Sequence, residues 1–304
     1  MRVAEAGPVH LRERLGGEGI GLDFGAASAR VLSDAPGFDE VFASVYRGFE
    51  LGAASGFFDV TVRLRRGRGI RRHVRPQVEL VADGRSVFAP FPADTHQPLL
   101  EWGMNFLIAR RLGFHLLLHA GVVALDDRAV ILPAMPGSGK STLTAALATR
   151  GFRLLSDEFG VVRLADGQLL PLLRPVALKN ESIDVIARFA PQATIGPSFP
   201  KTRKGTVAHM APDAESIESR HVPAQPALII FPRFDPAVEC RLTPEKRSHA
   251  FTRLSMNSFN YDMLGPAGFD AVGRVIESCA VYRLAYRDLD RAVAAIRDLL
   301  AGGS

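Results

Sequence analysis

Apolar positions along the chain follow two different periods. Early on, Val60, Val62 and Leu64 share one face of the run Phe57–Leu64 and predict a strand. Val41–Tyr46, Gln77–Ala82 and Ser86–Ala89 read as further strands, with Ala82-Asp83-Gly84-Arg85 as a hairpin turn. Pro90–Pro98, with three prolines, reads as a linker. The period then changes. Leu100, Met104, Leu107, Ile108 and Leu112 fall near helical spacing and predict a helix over 99–112. Two apolar strands follow, Phe114–Ala124 and Ala129–Leu132, then a Gly-rich loop, a helix and a strand at Arg153–Leu155. Phe159–Leu164 and Gln168–Leu172 flank a second hairpin signal, Ala165-Asp166-Gly167. Glu181–Phe189 reads as a helix, Thr194–Thr206 as a polar loop, and Val207–Met210 and Ala227–Phe231 as strands. The last quarter predicts helices over Pro244–Phe259, Ala267–Cys279 and Leu289–Ala301, with a strand at Val281–Tyr286. Pro244 suits the first position of its helix.

This order predicts two domains. Residues 1–98 form a smaller β-rich N-terminal domain with no assigned role, and residues 99–304 an α/β domain.

Composition narrows the class. The 304 residues are 47% hydrophobic and 23% charged, ordinary globular proportions that exclude wholesale disorder. No apolar run reaches the roughly 18 residues a membrane span needs. The N-terminal segment lacks an apolar stretch, so no secretory signal is expected. Two cysteines, Cys240 and Cys279, exclude a disulfide framework and a Cys-rich zinc site. His209, His221 and His249 share no metal-ligand spacing with neighbouring Cys or carboxylates. The expectation is a cytoplasmic protein with no membrane partner; a homo-oligomer is compatible. Lys and Arg exceed Asp and Glu by 37 − 32 = 5. Part of that surplus lies in Arg63–Arg75, a segment open to RNA, DNA or an acidic peptide. Little aromatic residue is interleaved there, so nucleic acid is the unfavoured partner and a solvated hairpin tip the better account.

The chemistry concentrates in Ile131-Leu132-Pro133-Ala134-Met135-Pro136-Gly137-Ser138-Gly139-Lys140-Ser141-Thr142. A strand runs in and a helix runs out, the setting of a phosphate-binding loop. Pro136, Gly137, Ser138, Gly139, Lys140, Ser141 and Thr142 would cradle the ATP phosphates. Glycines let main-chain N–H groups close on phosphate oxygens, and the helix N-terminus favours negative charge. Lys140 can reach the β- and γ-phosphates, and the Ser141 hydroxyl can ligate Mg²⁺. Ala134 stands where the usual motif has its first glycine. No Asn-Lys-x-Asp occurs, which argues against a GTPase. The strand Ala227–Phe231 runs into Pro232 with no acid there. Asp157 and Glu158, just past the next strand, are therefore the candidate metal carboxylates with Ser141. Lys201, Arg203 and Lys204 in a later loop, and more weakly Lys179, are candidate phosphate or substrate contacts.

These residues resemble the HPr kinase/phosphorylase superfamily, whose catalytic fold is similar to phosphoenolpyruvate carboxykinase. Leu118-His119-Ala120-Gly121-Val122 resembles that family's Leu-His-Gly strand, the phosphate loop follows, and Arg150–Glu158 resembles its Arg-Gly-His-x-Leu-x-x-Asp-Asp segment. Over the whole chain the likeness is greatest to the group named HprK-related kinase A, associated with peptide-modification gene systems. The resemblance implies a P-loop kinase core of this type. It implies Asp157 as the base for a substrate serine, His119 as support for phosphates or base, and Lys140 as the group neutralising the transferred phosphoryl. Glu158 replaces the family's second Asp. The Glu-Ile-Arg-Gly-Leu-Gly signature of phosphorylase activity is missing after Leu173, so no reverse reaction is expected.

The expected activity is transfer of the γ-phosphoryl of ATP, with Mg²⁺, to a serine or other hydroxyl of a small protein or peptide. The alternatives are a non-catalytic ATP-binding adaptor or regulator of a peptide-modification system, and a small-molecule kinase.

Overall fold

The computed structural model describes residues 1–133 and 137–302. The protein is mixed α/β, with three sheets of six, eight and three strands among the described residues. The chain forms two compact units. The first holds Met1–Arg111, Ala177–Ile183 and Ala193–Ala211; the second holds Leu112–Val176, Asp184–Gln192 and the chain from Pro212 on. This partition is not the linear split at residue 98. The helix His96–Arg111 lies with the first unit, because Leu99, Leu100, Met104 and Ile108 are buried there and its Trp102 and Phe106 rings meet Phe91 and Phe88.

In the first unit the strand Val60–Arg66 pairs in parallel with Ser28–Ser33 and antiparallel with Gln77–Ala82. Val62 and Leu64 are fully buried, as their alternation predicts. Val41–Tyr46 is not a strand. It belongs to the helix Phe38–Val45, whose Phe38, Val41, Phe42 and Val45 are all buried. Their spacing of three and four residues makes one helical face. Pro90–Pro98 is not a free linker either: Phe91–Pro92 pairs with the strand Gln77–Ala82, and His96, Gln97 and Pro98 open a helix in buried positions. Thr194–Thr206 contains a strand, Phe199–Thr202, that hairpins with Gly205–Met210.

The second unit is built on an eight-stranded sheet. At its centre Arg128–Pro133, Gln225–Phe234 and Ala280–Tyr286 run parallel. Leu116–Leu125 pairs antiparallel with the first of these, and Arg153–Ser156 and Phe159–Val162 both pair with Leu116–Leu125. The inner residues Ala129–Leu132 and Leu228–Phe231 are apolar and buried, as expected of strands covered on both faces, whereas Ala280–Tyr286 mixes buried and exposed positions. Pro244 ends an edge strand, Cys240–Pro244, and the helix starts only at Arg247. A proline is tolerated on an edge because its missing N–H faces no partner strand. No helix among the described residues is long and apolar enough to cross a membrane.

Candidate functional site

The site grows from the C-terminal end of the strand Arg128–Pro133. The chain passes Gly137 and Gly139 with φ of 85° and 88°, a left-handed conformation that suits glycine, and turns into the helix Lys140–Ala148. Pro136 and Ala134 lie outside the described residues. No side chain caps this nine-residue helix, so the leading N–H groups of Lys140, Ser141 and Thr142 have no intrahelical partner.

Two neighbouring strand ends fix the loop. Phe234 N–H donates to the Ser138 carbonyl at 3.0 Å. The buried Tyr286 hydroxyl donates to the Gly139 carbonyl at 3.1 Å. Burial holds the Tyr286 phenol well above its ordinary value, so it remains a donor. A Cβ on Gly139 would lie 2.7 Å from that hydroxyl oxygen. The Ser138 Oγ is buried with no hydrogen-bond partner among the described residues.

The helix lies close against the strand Leu116–Leu125. A Cβ on Gly121 would stand 2.2 Å from Thr144 Oγ1, and that hydroxyl is already turned back to donate to the Lys140 carbonyl at 2.9 Å. Glycine at 121 therefore sets how near the loop helix comes to the sheet.

Lys140 points inward. Its ammonium donates to the main-chain carbonyl of Asp157 and lies 3.3 Å from the Asp157 carboxylate. Only 10% and 5% of these two side chains is exposed. Asp157 follows the strand Arg153–Ser156, whose last residue turns the chain: Ser156 Oγ accepts from the N–H of Phe159 at 3.1 Å. Phe159 then pairs with His119, which brings Glu158 next to the histidine strand. His119 Nε2 is 3.7 Å from Glu158 Oε1. Burial, the largest influence, holds the His119 imidazole below its ordinary value; Glu158 and Asp157 pull it back up, and Lys140 adds to the depression.

His119 is itself held from behind. Its N–H donates to the Asn257 carbonyl at 2.8 Å, and Asn257 Nδ2 donates to the His119 carbonyl at 2.8 Å. The Phe259 ring packs against His119 and Phe159, with centroids 5.4 and 4.7 Å away. Asn260 binds the same strand further back, accepting from Leu117 N–H and donating to the His115 carbonyl.

His119, Lys140, Asp157 and Glu158 thus converge, with Ser141 and Thr142 in the first turn of the same helix. Lys179, Lys201, Arg203 and Lys204 belong to the first unit. There Arg203 and Lys204 lie over the rings of Phe91 and Trp102, at 5.3 and 5.6 Å. The Lys201 side chain lies outside the described positions.

Tyr286, Asn257 and Phe259 escaped the sequence reading, because each acts on a partner more than a hundred residues away. Asp235 escaped it as well. The strand expected to end at Pro232 continues to Phe234, so an acid does follow it. That carboxylate is engaged by Arg233 at 2.5 Å and by the Ala237 N–H at 3.1 Å, and the Arg233 contact lowers its pKa.

Among the described residues no three His, Cys, Asp or Glu side chains are grouped to hold a metal ion alone. The donors present are Ser141, Asp157 and Glu158. They suit Mg²⁺, which binds through one or two carboxylates and takes its remaining ligands from phosphate and water.

No family model matches the chain, and no curated protein matches it.

Proposed function

We propose that the protein is a P-loop kinase of the HPr-kinase-like type, transferring the γ-phosphoryl of ATP to a hydroxyl of a small protein or peptide. The observation that carries this reading is the convergence of a buried lysine, two carboxylates and a histidine at an uncapped helix N-terminus behind two left-handed glycines. The free N–H groups and the unpartnered Ser138 hydroxyl suit a phosphate chain. Mg²⁺, held by Ser141 with Asp157 or Glu158, would neutralise phosphate charge.

In the reaction Asp157 accepts the proton of the acceptor hydroxyl. The acceptor oxygen bonds to the γ-phosphorus, and the bond to the β,γ-bridging oxygen breaks, leaving ADP. Lys140 exchanges its carboxylate partner for phosphate oxygens and stabilises the charge in transfer. Burial lowers the tendency of His119 to carry a competing positive charge, and its Nε2 lies 3.7 Å from the Glu158 carboxylate, which can only accept a hydrogen bond. Two free cysteines and a Cys279 thiol pushed up to about 12 by burial fit a reducing, cytoplasmic setting.

One observation favours a second reading. Lys140 and Asp157 hold each other, so an ATP-binding adaptor could use the breaking of that pair as its signal. Labelled ATP with a candidate acceptor separates the two. The kinase reading expects labelled acceptor with wild type and none with Lys140→Ala. Nucleotide binding with no transfer to any hydroxyl, identical in Asp157→Asn, would establish the adaptor.

A further inference from the structure

Between Val60 and Val78 the chain has seven arginines and no Asp or Glu. This stretch joins the paired strands Val60–Arg66 and Gln77–Ala82, and every residue from Arg68 to Pro76 is exposed. Arg65 is tied to Glu79 at 2.8 Å. Arg66, Arg68, Arg71, Arg72 and Arg75 make no ion pair among the described residues, so their charge faces solvent. The tip is also apolar. Ile70 and Val74 are 73% and 55% exposed. Val74 N–H donates to the Ile70 carbonyl at 2.8 Å, a single helical turn that sets both side chains on the same side.

We infer that this tip is a docking element for an anionic lipid bilayer surface: Ile70 and Val74 enter the headgroup–acyl boundary while the surrounding arginines bind lipid phosphates. Each half of the feature has a use there. Basic residues gather at the negative surface potential, and exposed aliphatic side chains lose water in the interfacial layer. A nucleic acid would use the arginines but leave Ile70 and Val74 exposed, with no Phe, Tyr or Trp in the tip for base stacking. An acidic peptide would pair with the arginines but give Ile70 and Val74 no apolar layer to enter. The expectation of no membrane partner followed from the lack of a spanning segment, which surface docking does not require. The inference is independent of the kinase reading.

Flotation with vesicles tests it on the full-length protein. One set is phosphatidylcholine alone; the other mixes in phosphatidylglycerol. Wild type should float with the anionic vesicles only, and less as salt is raised. Ile70→Ser with Val74→Ser should weaken that binding by about tenfold; Arg71→Glu with Arg72→Glu should abolish it. All four positions are solvent-exposed, and unchanged thermal unfolding confirms that the variants fold. No flotation, flotation indifferent to lipid charge, or flotation unaffected by the serine pair overturns the inference. So does tighter binding to a DNA or RNA duplex than to the anionic vesicles, with the serine pair having no effect on it.

Discussion

The Lys140 ammonium rests on Asp157 twice, at its main-chain carbonyl and, 3.3 Å away, at its carboxylate. Both side chains are almost out of water, so each is the other's main compensation for burial. Lys140→Met should therefore do two things. It should lower stability by about 3–5 kcal/mol, the cost of stranding a buried charge. It should also abolish phosphotransfer. Urea denaturation with a labelled-ATP transfer assay reads both. A variant of wild-type stability would mean that water reaches Asp157 freely.

Asp157→Asn is the complementary change. The amide can still accept from Lys140 but no longer offsets its buried charge, so stability should also fall, while ATP affinity should stay within a few-fold of wild type because bound phosphate supplies negative charge to the lysine. Transfer should fall by roughly 10²–10⁴-fold, the usual worth of a general base. Single-turnover kinetics at saturating ATP isolates that step. An unaltered rate would remove Asp157 from the chemistry.

Stability should fall on acidification. Burial holds the His119 and His115 imidazoles below their ordinary value in the folded protein. The unfolded chain takes up those protons near pH 6.5. The stabilisation is thus complete above about pH 6.5 and is lost as pH drops through the lower folded-state values. Urea midpoints at pH 7.5, 6.5 and 5.5 should decline, and His119→Asn should flatten the slope. If the slope stays the same, His119 is not held neutral.

Gly121 and Thr144 should be energetically coupled. Gly121→Ala places a methyl against Thr144 Oγ1 and should cost about 1–3 kcal/mol as the loop helix is pushed outward. Thr144→Ala clears that space, so the double variant should recover much of the loss. Additive effects would mean that the helix moves freely on the sheet.

Asn257 should act on turnover more than on nucleotide affinity. Asn257→Ala removes the hydrogen bond to the His119 carbonyl, worth about 1 kcal/mol of stability. With His119 free to shift from Glu158, kcat should drop while KM for ATP holds. A loss of stability with unchanged kcat would show that the segment only braces the sheet.

Local patterns in the sequence foretold much of the second unit. The helices Glu181–Phe189 and Leu289–Ala301 end where their spacing predicts. The loop lysine and Asp157 meet as strand, loop, helix and strand follow one another, because 17 residues leave few other arrangements. Short apolar runs misled. Val41–Tyr46 fits a strand and a helix equally, and only packing of Tyr46 against the Phe24 and Phe49 rings decides. Pro244 fits a helix start and an edge strand alike, and strand pairing with Tyr282 chooses the second. Asn257, Phe259 and Tyr286 carry no local signal, since their roles exist only once distant strands are adjacent.

The site is assembled from contacts of very unequal reach. Lys140 and Asp157 are 17 residues apart, whereas Asn257 and His119 are separated by 138. Closing the longer span costs about 1.9 kcal/mol more in chain entropy. During synthesis, Asn257 leaves the ribosome 257 − 157 = 100 residues after Asp157, about 5–20 s later. The lysine and its carboxylate can therefore meet on an unfinished chain, and the histidine gains its brace only about 100 residues later.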